Sequence, residues 1–576
     1  MKNQIVILLL SVVTLFSCES FLDRSPDQGL GENDIFTDFI AFRAFNDKLY
    51  GYLDDPLDWE RRADAGCISD ETENNATWTF NGGMNAGGFY ATDGSMYESG
   101  WKQKQNNWGP RSPVIWNSFQ AIRTANITLE RIDMLQDASE GQRNQLLGEA
   151  YFFRAWHYFQ VLIRWGGMPE MRGTFDVGTD FNMPRRNFVE SAQDCIEDLE
   201  MAQDLLPSRW GNDQLGRVTT GAALALKDMI YLYMASPLMQ EDAGNGAQYN
   251  TELLKASLEA SAAVIKRSSE FGFQLESGEN YRDVFYSDYQ PVNPEAIFWR
   301  HNMMRFFQDP ANQFIPKSYG GGNQTTGPTQ NLVDMYEMAD GLPFNESPLY
   351  NASQPYENRD PRFYNNILYP DAPWGMNGNN QIYVETWLGG REDNLPANQR
   401  PVTGYLVKKW WPEGANNWEN RKSQDFMPWM FIRLPQMYLD FAEAANEVYG
   451  PTAVAPELGM SAVDAINVIR NRVGMPEVNS KFTESKELFR ERIRNERAVE
   501  LSFEGHRWFD IRRWKIAKAK LAKIYVVEAR KNDDGSLSYS YPERPSARIF
   551  NDRNYWYAIP IEEVNKYENF TQNPGW

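Results

Sequence analysis

The chain has 576 residues, more than the roughly 250–300 at which one hydrophobic core stops growing, so we expect two lobes or an extended repeat. It carries 57 Lys and Arg against 78 Asp and Glu, and the resulting net charge of -21 repels phosphate backbones and excludes a nucleic-acid partner. Aromatic residues make up 14% of the chain, with 19 tryptophans, so some rings are expected to face a ligand.

The first residues have the pattern of an export signal. Lys2 supplies a positive start, residues 5–16 are apolar, and Ser17 is a small residue at the cut. The apolar stretch is too short to span a bilayer, which needs about 20 residues. The run LFSC resembles the bacterial lipobox, in which the cysteine, here Cys18, carries the lipid. An ordinary secretory signal with an incidental cysteine is the alternative.

The chain is therefore divided into three segments. They are a lipoprotein signal peptide at 1–17, a lipidated cysteine with its tether at 18–33, and one mature domain at 34–576. Two further cysteines, Cys67 and Cys195, do not make a disulfide framework and are predicted to be buried free thiols, with a disulfide between them in an oxidising compartment as the alternative.

Helical periodicity dominates the mature domain. Long helices are predicted in SPVIWNSFQAIRTANITLERIDML and QLLGEAYFFRAWHYFQVLIRWGGMP, and further ones at 188–206, 219–236, 249–268, 433–449, 461–473 and 484–516. Small residues alternate with Tyr, Leu or Phe in GEAYFFRAWHYFQVL, GAALALKDMIYLYMA and MYLDFAEAANEVYG. Such interlocking is typical of stacked helix pairs of the tetratricopeptide kind.

Two long stretches interrupt the helices. Near 54–112 and 280–430 the chain loses helical periodicity and becomes rich in Gly, Asn, Pro and aromatic residues. Short apolar runs in the second stretch predict a few short strands. Long irregular segments inside a compact chain are usually functional, so we expect the ligand to bind there.

The sequence contains no strong catalytic or metal-binding motif. His157, His301 and His506 lie far apart, and no cofactor is predicted. Glu496, Glu500 and Glu504 follow one another at intervals of four beside arginines, a pattern that favours structural ion pairs over general acid catalysis.

Aromatic rings in the irregular stretches are the strongest ligand signal. Burying about 60 Å² of a sugar's CH face against an indole contributes about 1.5 kcal/mol. Tryptophans on helices, by contrast, are expected in the core: Trp116, Trp156, Trp165, Trp508 and Trp514. The predicted ligand-binding residues are Trp78, Phe80, Trp101, Trp108, Phe306, Phe307, Tyr319, Trp374 and Trp387.

The run ERIRNERAVELSFEGHRWFDIRRW resembles the signature of the SusD/RagB family of Bacteroidetes surface lipoproteins. Other stretches agree in order, among them NLVDMYEMADG, RDPRFYNNILYP, FIRLPQMYLDFAEAANEVYG and the closing AIPIEEVNKYENFTQNPGW. The resemblance implies a mainly α fold, in which tetratricopeptide-like helix pairs form a right-handed superhelical scaffold. A loop-rich ligand-binding region with a few short strands would sit on this scaffold.

The resemblance also implies a function without catalysis. Members of the family sit on the outer-membrane surface and deliver captured glycans to a SusC-like TonB-dependent transporter. Only Cys18 inherits a role by motif match, and lipid would then be the sole membrane contact.

Three other functions stay open. They are capture of peptides, as in the RagB branch; a surface glycoside hydrolase, which needs two facing carboxylates; and an adhesive surface protein without a soluble ligand.

Overall fold

The computed structural model of the chain describes most of the mature domain. The described residues are 31–56, 68–74, 104–106, 109–111, 114–286, 293–300, 304–306, 318, 326–397, 399–410, 424–544 and 548–576. Cys18 and Cys67 lie outside them, whereas Cys195 is a buried free thiol, as predicted.

Helices of three or more turns form the frame of the molecule, and short ones connect them. In chain order the described helices are α1 Glu32–Phe36, α2 Phe39–Asn46, α3 Lys48–Gly51, α4 Val114–Arg131, α5 Glu140–Trp165, α6 Phe188–Leu205, α7 Thr220–Ala235, α8 Pro237–Asp242, α9 Thr251–Lys266, α10 Ser268–Phe271, α11 Gln330–Val333, α12 Pro361–Asn366, α13 Leu434–Tyr449, α14 Ala462–Arg472, α15 Lys486–Glu500, α16 Arg507–Arg513, α17 Ala517–Lys520 and α18 Ile561–Val564.

The long helices pack successively. Helix α4 packs on α5, α5 on α6, α6 on α7, α7 on α9, and α9 on α13, which in turn contacts α14 and α15. Within the described residues no helix is both long and apolar enough to cross a membrane. The predicted helical-repeat scaffold with a few short strands is confirmed.

Helix α5 shows how the sequence directs this packing. A capping box at Ser139 begins the helix, and Gly166 ends it with a φ of 78°. Nearly the whole circumference is buried beyond the first turn, as expected of a helix in the middle of a stack. At Gly148 a Cβ atom would lie 2.8 Å from Cγ of Leu206, so the predicted small-to-large interlocking occurs here.

The strands are short and pair two by two. They are β1 Thr72–Asn74, β2 Lys104–Asn106, β3 Gly109–Arg111, β4 Ala296–Arg300, β5 Met304–Phe306, β6 Thr326–Pro328, β7 Ile367–Leu368, β8 Pro373–Asn377, β9 Asn380–Tyr383, β10 Leu406–Val407, β11 Gln424–Phe426, β12 Trp429–Arg433, β13 Val454–Ala455, β14 Met460–Ser461, β15 Glu528–Lys531 and β16 Leu537–Ser540. All described ladders are antiparallel: β1–β6, β2–β3, β4–β12, β5–β11, β7–β10, β8–β9, β13–β14 and β15–β16.

The helix predicted over 484–516 is two helices separated by a turn, so that prediction is wrong. In this turn Phe503 and Gly505 adopt left-handed backbone angles, with φ of 63° and 80°. Glu504 therefore lies in the turn and does not extend the helical row formed by Glu496 and Glu500.

Cations from distant segments hold the buried carboxylates beside this turn. Glu500 accepts hydrogen bonds from Nη1 of Arg362 at 3.0 Å and from Nη1 of Arg433 at 2.7 Å. Glu504 accepts from Nε of Arg433 at 2.7 Å and from Nζ of Lys409 at 2.7 Å. Burial alone would raise the pKa of Glu500, but the surrounding guanidinium groups bring it below its ordinary range. The predicted structural role of these glutamates is confirmed.

The arginines near those glutamates in sequence bind other carboxylates. Nε of Arg497 donates to Asp510 at 2.7 Å, and Arg497 also pairs with Asp440. Arg507 donates from Nε and Nη2 to the two oxygens of Asp70, both at 2.8 Å. The signature motif therefore ties together parts of the chain that lie hundreds of residues apart.

Replacing Arg433 by methionine is expected to destabilise the fold by about 3–5 kcal/mol, since Glu295, Glu500 and Glu504 would each lose one of their charged partners while remaining buried. Arg43→Met is the matched control, because Arg43 makes a surface pair with Asp47 at 3.9 Å and its loss should cost at most about 0.5 kcal/mol. Denaturant unfolding measures both values. Similar losses in the two variants would contradict the structural role of the network.

Candidate functional site

The first of the two irregular stretches meets the second at the β1–β6 ladder. Asn74 pairs with Thr326, and its Nδ2 donates to Oγ1 of Thr326 at 2.8 Å. The chain therefore leaves Asn74 and arrives at Thr326 at the same end of one ladder. The segment that follows Asn74 and the segment that precedes Thr326 are both predicted to bind ligand. They are separated by some 250 residues in sequence, yet both connect to the same end of this ladder.

A second ladder, β5–β11, brings together two distant parts of the second irregular stretch. Phe306 at the end of β5 pairs with Gln424 at the start of β11, next to the longer β4–β12 ladder. The β1–β6 ladder and the β4–β12 ladder are connected through β10. Strand β6 packs against β10, and Trp410, which follows β10, stacks on Trp429 of β12 with ring centroids 5.4 Å apart.

A cluster of ionisable side chains lies next to the β1–β6 ladder; it comprises Asp70, Glu71, Lys409 and Arg507. Glu71, which precedes β1, is buried, and its Oε1 accepts the N–H of Phe503 at 2.6 Å. Its Oε2 has no hydrogen-bond partner among the described residues. Burial raises the pKa of Glu71 to about 8, and the nearby Asp70 also raises it, whereas the Phe503 N–H, Arg507 and Lys409 lower it. The raised pKa favours the neutral form of Glu71 at pH 7.

A hairpin and the loop after it, both in the second stretch, form a continuous surface with a second hairpin near the C-terminus. We call residues 373–394 and 528–540 the hairpin face, since they comprise β8–β9, the loop after it, and β15–β16. The N–H of Leu388 donates to the carbonyl of Ala529 at 2.8 Å and joins the loop to β15. Oγ1 of Thr386 donates to the carbonyl of Gly404 at 2.8 Å and fixes the loop to the frame.

Trp387 is the predicted ring that the hairpin face presents. It is half-buried, and Nζ of Lys531 lies 4.9 Å from the centre of its ring. The buried Nε1 of Trp387 has no hydrogen-bond partner among the described residues. A cation on an indole holds the ring in place by a cation–π attraction of about 0.5–1 kcal/mol at exposed sites.

Tyr383 and Met376 are exposed on the same face and were not predicted. Their exposed fractions are 46% and 42%, and they lie on strands β9 and β8. The alternation of side chains along a strand could have indicated them, but the short β8–β9 hairpin is not visible in the sequence as such.

The other predicted ligand-binding residues have different outcomes. Trp374 is 0% exposed and belongs to the main core, so the prediction for Trp374 is wrong: β8 directs this side chain inward, whereas the preceding Pro373 is exposed. Phe306 lies on β5, and its side chain is outside the description. Also outside the described residues are Trp78, Phe80, Trp101, Trp108, Phe307 and Tyr319.

The tryptophans assigned to the core are mostly there. Trp156, Trp165, Trp508 and Trp514 are buried, as predicted. Trp116 is 37% exposed, so its assignment to the core is wrong. It lies on the outer side of α4, whereas Ile115, Ser118 and Ile122 on the inner side are buried.

The buried glutamates and aspartates of the signature motif are paired with arginine or lysine. Among the described residues no group of three or more His, Cys, Asp or Glu side chains could hold a metal ion. The arrangement on the hairpin face is suited to binding by ring faces and hydrogen bonds.

Comparison with known proteins decides the family. The SusD family model matches residues 290–576, and a second model, described as starch-binding associating with outer membrane, matches residues 20–232. The chain belongs to the SusD family. The resemblance found in the sequence motifs is thereby confirmed.

Relatives of known sequence or structure agree over nearly the whole chain. SusD-like protein P25 of Formosa agariphila is 24% identical over 554 residues, 90% of each chain. A solved SusD-like protein from Bacteroides fragilis NCTC 9343 has a TM-score of 0.73 and 25% identity, covering 95% of this chain and 99% of its own. Another solved structure, with a TM-score of 0.60 and 16% identity over 92% and 97% of the two chains, contains a xylogluco-oligosaccharide.

The raised pKa of Glu71 predicts how the stability of the protein depends on pH. Its pKa in the fold, about 8, lies above the ordinary 4.5, so its contribution to stability is complete below pH 4.5 and is lost as pH rises to about 8. Glu71→Gln should escape this loss. From pH 5 to pH 8 the free energy of unfolding of the variant should therefore rise relative to the parent by about 3–4 kcal/mol. Parallel pH profiles would contradict a neutral Glu71.

Proposed function

We propose that this SusD-family protein is a cell-surface lipoprotein that captures oligo- or polysaccharide and delivers it to a SusC-like TonB-dependent transporter in the outer membrane. The observation that carries the proposal is Trp387, a half-buried ring anchored by Lys531 on a face that also exposes Tyr383. Two comparisons favour carbohydrate as the ligand: one matching family model is described as starch-binding, and one solved relative contains a xylogluco-oligosaccharide.

Stacking supplies the binding energy in this proposal. A pyranose has a poorly hydrated CH face, and about 60 Å² of it against an indole contributes about 1.5 kcal/mol, so several rings give useful affinity. An acidic protein does not repel a neutral sugar, and no electrostatic steering is required. The rings proposed to act with Trp387 are Trp78, Phe80, Trp101, Trp108, Phe306, Phe307 and Tyr319.

A binding role without catalysis agrees with the electrostatics of the buried acids in the signature motif. General acid catalysis in a glycosidase needs a carboxyl of raised pKa facing a second carboxylate across the substrate. Glu500, Glu504 and Asp510 are instead buried, and their arginine and lysine partners lower their pKa values against the effect of burial. We therefore propose that sugars leave the protein unchanged.

The anchor follows from the proposed lipidation of Cys18. The chain from Cys18 to Gly31 spans thirteen residues, which can extend to about 45 Å. Such a tether would let the helical scaffold stand above the outer membrane beside its transporter. Stable anchoring requires more than one acyl chain, which a lipobox cysteine provides.

Trp387→Ala is expected to weaken polysaccharide binding about tenfold, because one ring stack of about 1.5 kcal/mol is lost. The matched control is Trp116→Ala, an exposed tryptophan on a helix of the scaffold, which should bind like the parent. Affinity electrophoresis of the mature soluble chain against plant, microbial and host polysaccharides measures both.

The same panel separates the alternatives. Retardation of the parent by one polysaccharide class, without cleavage products, supports glycan capture. Cleavage products would indicate a hydrolase, and silence across the panel would favour peptides as the ligand. Equal retardation of parent and Trp387→Ala would remove Trp387 from the site.

Cys18→Ser is expected to abolish incorporation of labelled palmitate and to release the protein from the outer-membrane fraction, since the lipid would be the membrane contact. Digestion of intact cells with protease tests surface exposure in parallel. A Cys18→Ser protein that still fractionates with the membrane would show that another contact holds it there.

A further inference from the structure

Glu392 lies inside the loop that carries Trp387. It is 0% exposed, although its neighbours Arg391 and Asp393 are partly exposed. A carboxylate in such a place is costly unless hydrogen bonds satisfy it. The hydrogen-bond partners of Glu392 therefore indicate its role in the loop.

The carboxylate of Glu392 closes the loop on itself. Its Oε2 accepts the backbone N–H of Glu385 at 2.6 Å, and its Oε1 accepts Nε of Arg391 at 2.8 Å. Nη2 of Arg391 in turn donates to the carbonyl of Tyr383 at 3.1 Å. The start of the loop, its end and strand β9 are thereby held around one buried group.

A third bond reaches outside the loop. Oγ of Ser318 donates to Oε1 of Glu392 at 2.9 Å, across a sequence separation of 74 residues. Ser318 lies between β5 and β6 in the sequence, so this bond ties a residue from a distant part of the chain to the Trp387 loop. Removal of the hydroxyl would leave the other two partners of Glu392 in place.

We propose that Glu392 is a positioning residue for glycan capture, which holds Trp387 in its binding orientation through the Glu385 amide, Arg391 and the Ser318 hydroxyl. The inference rests on the proposed function of the hairpin face. Binding to a loop that is already ordered avoids the entropy of ordering it, so the bonds of Glu392 raise affinity without touching the sugar. A loop that is only partly in its competent state binds more weakly in proportion to that fraction.

The decisive variant is Ser318→Ala in the mature chain, tested with the polysaccharide that retards the parent. It should reduce affinity about fivefold or more through slower association, while the melting temperature stays within about 2 °C of the parent. Ser318→Thr keeps the hydroxyl and should restore binding. Glu392→Gln, which loses the charge of the acceptor, should reduce affinity at least as much as Ser318→Ala.

Ser347→Ala is the matched control, since Oγ of Ser347 donates to Oδ2 of Asp340 at 2.6 Å in another part of the molecule. It removes a serine–carboxylate bond of the same kind and should leave affinity unchanged. Unchanged affinity in Ser318→Ala, or failure of Ser318→Thr to restore it, would overturn the proposal. A parent chain that binds no polysaccharide would overturn the proposed function itself.

Discussion

The structure depends on the burial of carboxylates in and around the turn between α15 and α16. A buried charge without a partner is so unfavourable that Glu500 and Glu504 require arginine and lysine at hydrogen-bond distance. Those cations come from α12, the end of β12 and the segment after β10. The fold can complete this turn only when the helical scaffold and the loop-rich region have come together, so the network specifies their arrangement.

The same turn sets the positions from which the loops depart. The N–H of Phe503 is accepted by Glu71 just before β1, and the carbonyl of Phe503 accepts Nε1 of Trp410 at 3.2 Å. Arg507 holds Asp70 with two bonds. The left-handed backbone of Phe503 is unfavourable for a residue with a side chain, and these contacts from separate segments stabilise it. Fixed departure points allow the segments beyond them to differ in length and sequence.

Local signals in the sequence were sufficient for the scaffold but not for the site. The helix predicted at 188–206 is observed at Phe188–Leu205, because its Asn187 cap and apolar spacing are local features. The β1–β6 ladder joins residues more than 250 apart and leaves no periodic trace in either. Trp374 and Trp387 stand in similar Gly-rich surroundings, yet the pleat of the β8–β9 ladder turns Trp374 into the core, whereas Trp387 lies in the loop after β9 and is half-buried. The break at Phe503 likewise depends on distant partners.

These features give rigidity and adaptability to different parts of one chain. Paired charges and interlocked helices resist change, because substitution of one partner leaves another buried and unsatisfied. Two-stranded hairpins and a loop closed around Glu392 depend mainly on their own hydrogen bonds, so their exposed side chains can change without disturbing the scaffold. In the proposed function, a ring such as Trp387 contributes affinity according to how firmly the loop beneath it is held. Under this proposal exposed side chains choose the ligand and supply the stacking energy, and the buried bonds of Glu392 add to the affinity because the loop is already ordered before the ligand binds.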